Sequence, residues 1–268
     1  MRRTFSFLAL FLVLMATITT SSVGARENAP LQRDSKAMSL LEKMASFLAR
    51  TQHFSVDIRS GYDVVQKSGQ KIEFGEIRQI KVNRPAHLRI EIERGNGEKG
   101  LVVYNGKDIT IYAANDNVYA TTFKPGTLDQ AIRYAVTDLK IRVPLSVMLL
   151  SNFPAEIQTR VIAADYVETM RIADVACDHI VARTADGVDF QVWIAQGDQP
   201  LPKRVVITYR QRKGQPQYWA DLSNWNLSPD ISGALFEFAP PAGAEQIPFL
   251  AEVPSVTTKA APRKGGKK

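Results

Sequence analysis

Cysteine is nearly absent: Cys177 is the one thiol in 268 residues, so no internal disulfide can staple the chain. A lone thiol of this kind is expected to sit buried as a small hydrophobe. Histidine is almost as scarce. His53, His87 and His179 lie far apart, each on or beside an apparent strand, and none shows the ligand spacing of a zinc site. No G-x-S-x-G elbow and no H-E-x-x-H helix occurs. Gly95-Asn-Gly97-Glu-Lys-Gly100 does match G-x-G-x-x-G, but the strand-like run Leu101 to Tyr104 follows it. A dinucleotide site needs a helix N-terminus there, so this segment reads as a hairpin turn. Carboxylate pairs such as Glu91 and Glu93 fall on the polar side of a strand, where solvated acids belong. The sequence therefore offers no catalytic residues, no metal site and no cofactor, and it reads as non-enzymatic.

A surplus of charge is missing as well. The chain has 34 basic and 27 acidic side chains, but two of the basic ones are Arg2 and Arg3. Five more, Lys259, Arg263, Lys264, Lys267 and Lys268, crowd into the last ten residues. What lies between holds 27 of each sign. A neutral body argues against the clustered basic face that a nucleic-acid partner would need. The segment 251–268, rich in Ala, Pro, Gly and Lys, is expected to be a disordered basic tail able to touch an anionic membrane surface.

The other end reads as an export signal. Arg2 and Arg3 are followed by the apolar stretch Phe5 to Ile18, then by small residues up to Val23-Gly24-Ala25. Residues 1–25 are expected to be removed before Arg26, and the mature protein to work in the periplasm. The apolar stretch is shorter than the ~20 residues that span a bilayer. No cysteine follows the cleavage point, which excludes a lipoprotein of the usual type. Ordinary unfolded export fits this greasy leader better than the twin-arginine route, although the choice stays open.

From residue 34 the pattern is regular. Asp34 or Ser35 caps a helix whose Ala37, Leu40, Leu41, Met44, Phe47 and Leu48 form one apolar stripe. The period then changes to two: Phe54, Val56 and Ile58, and later Leu88, Ile90 and Ile92, alternate with polar residues. Strands are expected over 71–82, 101–104, 108–113 and 118–123, with turns at Ser68-Gly69, Asn105-Gly106 and Asn115-Asp116. A helix capped by Thr127 follows. A second helix over Leu145 to Leu150, opened by Pro144, is apolar nearly all round and must be buried. Five more strands are expected over 166–172, 178–184, 188–195, 203–210 and 217–225. With no Pro-rich linker between the two strand groups, residues 26–250 read as one domain.

Two stretches resemble a known family. Val82-Asn-Arg-Pro-Ala-His-Leu-Arg-Ile-Glu91 and the hairpin Val103 to Tyr112 resemble the periplasmic lipoprotein carriers of the LolA and LppX-like superfamily. Cys177-Asp-His179, Val188 to Ile194, Pro200 to Tyr209, Ser223 to Asn226 and Phe238 to Gly243 resemble one branch of it, a family of predicted periplasmic proteins of unknown function. The resemblance implies a mainly β fold with helices: a half-open, strongly curved antiparallel β-barrel whose helices plug the concave face. It also implies a cavity for lipid or lipoprotein acyl chains, with no enzymatic activity and no cofactor. The lining residues are expected to be Phe54, Val56, Ile58, Leu88, Ile90, Ile92, Ile109, Ile111, Met148, Phe190, Val192, Ile194, Val205 and Ile207. Arg59, Arg78 or Arg89 would tie the sheet to its covering helices. Apolar strand faces alone fit a filled core as well as a cavity. Three functions stay open: a monomeric acyl-chain carrier or sensor, a module binding an envelope protein, and an enzyme with a scattered site.

Overall fold

The computed structural model describes residues 32–141 and 143–249; the expected leader and tail lie outside the described residues. The chain runs through α1 (Ser35–Arg50), β1 (His53–Val65), β2 (Lys71–Asn83), β3 (His87–Arg94), β4 (Lys99–Tyr104), β5 (Asp108–Ala113) and β6 (Val118–Phe123). It continues through α2 (Leu128–Thr137), α3 (Phe153–Arg160), β7 (Val161–Ile172), β8 (Val175–Thr184), β9 (Val188–Ala195), β10 (Pro202–Tyr209), β11 (Gln217–Asn226) and β12 (Glu245–Gln246). All twelve strands belong to one sheet, in the order β12-β6-β5-β4-β3-β2-β1-β11-β10-β9-β8-β7. Two meanders are thus joined where β1 pairs with β11, and the edges β12 and β7 do not meet. Every ladder is antiparallel except the short β12–β6 pair. Bulges at Ser55/Asp57, Val161/Ala163, Tyr166/Glu168 and Pro202/Arg204 supply bends of the kind that curve a sheet.

Alternation along each strand sends one apolar set inward. Ile80, Ile90, Val102 and Ile111 stand in one row across β2 to β5, and Ala220, Val205, Val192 and Ile180 in another across β11 to β8. An apolar sheet face must be covered, and the helices cover it. In α1 the buried residues are Ala37, Met38, Leu41, Met44, Ala45 and Leu48, the three- and four-residue spacing of a single stripe. Asp34 accepts from the Ala37 amide at 2.7 Å and caps it. Thr127 and Gln130 form a capping box at the start of α2.

The expected helix over Leu145–Leu150 is not there. Leu145 takes φ +63°, a left-handed backbone that no α-helix accommodates, and only a 3-10 turn over Ser146–Leu149 follows. Its burial is as expected: Met148, Leu149 and Leu150 are core residues. Helix α3, unforeseen, begins directly after it with Pro154 in its first turn. The C-terminal segment crosses the opposite, outer face of the sheet. There Phe236 packs on His87, and Phe238 on Tyr112 and Tyr119.

The β4–β5 turn is centred on Gly106 and Lys107, one residue later than expected, with Asn105 Oδ1 accepting from the amides of Lys107 and Asp108. Gly106 sits at φ +89°, a positive angle that glycine adopts without the cost a Cβ would bring. A Cβ there would meet Ala86 only at 3.4 Å, so conformation rather than space is limiting. Gly106→Val is expected to cost about 1–3 kcal/mol through backbone strain. An unchanged thermal midpoint for this variant would show that the turn is not strained in this way.

Candidate functional site

The coverage of the concave face is incomplete. Between the sheet and its helices lie two apolar hollows separated by the segment 143–149. The larger, about 260 Å³, is bounded by Phe190, Val192, Val205 and Ile207 of the sheet and by Met44, Phe153, Ile157 and the 3-10 turn above. Glu156, Arg160, Thr184 and Tyr209 give it a polar border. The smaller, about 110 Å³, lies between α2 (Leu128, Ala131, Ile132) and β3 to β5 (Leu88, Ile90, Ile92, Ile109, Ile111). A third space of about 30 Å³, lined by Phe54, Val56, Ile58 and Met148, shares lining residues with both of the first two. The expected lining residues therefore fall around these hollows with one exception. Ile194, 1% exposed, borders none of them and belongs to the close-packed part of the core.

A polar cluster centred on Arg78 enters this apolar surface. Arg78 stands on the concave face between Ile58 and Ile92, borders the two smaller hollows and pairs with Glu76. Next to it Ser60 and Tyr218 are almost fully buried. Burial pushes the Tyr218 hydroxyl above its usual pKa, an effect that the charge of Arg78 partly offsets. Such a cluster gives the cleft a fixed polar point inside an otherwise greasy wall.

The covering elements are tied down by polar contacts at their rims. Arg133 of α2 reaches Asn152 at 2.9 Å and Glu156 of α3 at 3.0 Å. Asp129 of α2 accepts from the Ser151 amide at 3.0 Å, and Gln158 of α3 bonds Glu42 of α1. The arginine that links sheet to helix is none of the three expected. Arg59 lies over Trp219, and Arg89 donates to the Leu235 carbonyl. Arg84 does the linking instead: it donates to the Thr51 carbonyl at 3.1 Å and faces Asp129 at 4.0 Å. Burial lowers its pKa, and Asp129 counters that. The covering residues Phe153, Ile157, Ala131 and Ile132 were also unforeseen as lining. Their signal was present as i, i+4 apolar spacing, but α3 offers only eight residues of it.

Reactive chemistry finds no support among the described residues. No group of His, Cys, Asp and Glu is arranged to hold a metal ion. Cys177 is fully buried, and burial pushes its thiol upward, away from thiolate reactivity. His179 stacks on Trp193 at 4.1 Å and shares a hydrogen bond with Gln191. The G-x-G-x-x-G segment is the β3–β4 turn, with Gly97 at φ +85°.

The sequence pattern of one family, described as a predicted periplasmic protein, matches residues 37–250. The chain belongs to this DUF2092 family. A DUF2092 protein is periplasmic, in keeping with the export signal read from residues 1–25. No curated protein sequence matches it. Among solved structures it is similar to an uncharacterized conserved protein of Thermus thermophilus (11% identity, 80% of this chain and 99% of that one, TM-score 0.47). It is similar also to the Mycobacterium tuberculosis lipoprotein LppX (13% identity, 74% and 100%, TM-score 0.46). A third is MucB in the Pseudomonas aeruginosa MucA/MucB complex (14% identity, 76% and 64%, TM-score 0.40).

The contrast between Ile194 and Ile207 in this DUF2092 fold is measurable. Ile194→Ala leaves a void in close packing and should cost about 2–5 kcal/mol. Ile207→Ala enlarges an existing hollow, so its loss should be smaller by about 1 kcal/mol or more. Denaturant midpoints of the two variants check this; equal losses would mean that the larger hollow is effectively filled.

Proposed function

We propose that this protein is a non-enzymatic periplasmic carrier or sensor that takes acyl chains of a lipid or lipoprotein into the concave face. The observation that carries this reading is the 260 Å³ apolar hollow with its 110 Å³ neighbour, roofed by separate short elements rather than by one continuous layer. At about 30 Å³ for a water-sized unit, the larger hollow has room for about eight or nine such units. A methylene is of that size, and each one buried contributes ~0.8 kcal/mol. Eight of them give ~6 kcal/mol, which corresponds to tens of micromolar before ordering costs are subtracted. A single chain would therefore be held weakly and released readily, which suits carriage better than storage.

Protein purified without detergent should carry fatty acid or lipid visible by native mass spectrometry, and should take up a fluorescent fatty-acid probe. Ile207→Trp, which fills the larger hollow, should lower probe affinity by about tenfold or more while the protein stays folded. A clean apo spectrum together with no probe uptake by the parent protein would refute the acyl-chain reading. Retention of full affinity by a folded Ile207→Trp would place the ligand elsewhere.

A further inference from the structure

The β1–β2 hairpin carries a feature that acyl binding does not require. Of the nine exposed large apolar side chains among the described residues, five lie on this one hairpin: Tyr62, Val64, Ile72, Phe74 and Ile77. Four of them share a face. Tyr62 stands opposite Phe74 and Val64 opposite Ile72, and the Tyr62 and Phe74 rings stack at 5.9 Å. These are the positions that continue the inward row Phe54, Val56, Ile58 and Ser60. Nearer the core that row is buried; here it is 39–47% exposed, because β3 stops pairing at Glu76 and β11 at Tyr62.

The strip lies two strands from the wall of the larger hollow. Register carries Tyr62 to Tyr218, Tyr218 to Ile207 and Ile207 to Phe190, and the last two line that hollow. The buried Tyr218 thus separates the exposed hairpin from the wall of the hollow by one strand.

Charge at this end identifies what the strip meets. Lys67 lies in the hairpin turn, and Arg212 and Lys213 in the β10–β11 loop beside it, where Lys71 donates to the Gln215 carbonyl. The local acids are engaged: Asp63 with Lys71, Glu73 with the Trp219 indole, Glu76 with Arg78, and Asp189 with Arg183 and Arg210. Arg212 lies over the Tyr209 ring, and no ion pair engages Lys67, Arg212 or Lys213 among the described residues, so the rim is left positive. Two aromatic rings and two aliphatic chains bordered by cations are the composition that settles at the surface of an anionic bilayer, its rings at headgroup depth. An acidic protein would complement the cations but would leave Val64, Ile72 and Phe74 against its own polar surface.

We propose that the tip of the β1–β2 hairpin docks the protein on anionic lipid surfaces, with the mouth of the larger hollow turned toward the bilayer. This goes beyond acyl binding and does not depend on it, because docking is read by partition onto vesicles and not by ligand uptake.

The test is co-sedimentation of the full mature chain with vesicles of equal parts phosphatidylcholine and phosphatidylglycerol, and with phosphatidylcholine alone. The mixed vesicles should bind more protein. Ile72→Ser/Phe74→Ser alters only exposed side chains, so its circular dichroism should match the parent. At high salt, where attraction through the basic C-terminal residues is screened, this variant should bind mixed vesicles about tenfold less than the parent. Equal partition of variant and parent would overturn the proposal, as would absence of parent binding. It would also be overturned if the two substitutions abolished self-association instead of vesicle binding, since the strip would then face a second copy of the chain.

Discussion

The pairing of β1 with β11 is the constraint on which the molecule depends. Without it, β1 to β6 and β7 to β11 would be two separate meanders, each with one greasy face to cover. The ladder from Ser55↔Asn226 to Tyr62↔Tyr218 joins them over nearly the whole length of β11. It also puts the two inward rows on one face of the sheet, four residues apart along β1: the Ile80–Ile90 row passes through Val56, and the Ala220–Val205 row through Ser60. Because β12 and β7 do not close on each other, that surface stays open at its edges and must be roofed. The cover consists of three short helices and an irregular segment, and hollows are what remain where those pieces do not fill the curve.

The roof is held differently from the sheet. The sheet is held by main-chain ladders, whereas α2 and α3, beyond the apolar residues they bury, are joined at their rims by contacts such as Arg133–Glu156 and Asp129–Ser151. Exposed polar pairs of this sort contribute little each, ~0–1 kcal/mol. The backbone of the segment 143–149 adds little regular hydrogen bonding beyond one 3-10 turn. Local opening is therefore expected to concentrate in the roof while the sheet stays closed. A binding face whose cover moves and whose floor does not is suited to taking up and releasing a chain of variable length.

Much of this was legible in the sequence. Strict alternation located β5, β6 and β9 to the residue, and the Asp34 and Thr127 caps located two helices. The stretch Pro144 to Leu150 was misread because it is apolar on every side; its burial can be inferred, but no period distinguishes a helix from an irregular wedge. The β1–β11 register was illegible for another reason, since partners some 165 residues apart leave no local trace. The cleft itself was the hardest part. Ile194 and Ile207 have the same side chain on the same sheet face, and whether each borders packed core or open space is decided by which covering element lies above it. Chemistry of the strands is written locally, whereas vacancy is a property of the assembled roof.

The central claim is that acyl chains enter the concave face beneath the segment 143–149. Paramagnetic broadening of methyl resonances by a spin-labelled fatty acid measures this most directly. The account predicts that Met148, Val192, Val205 and Ile207 broaden most, with the effect falling off with distance from the larger hollow. Broadening confined to the outer face, or spread evenly over the surface, would contradict it.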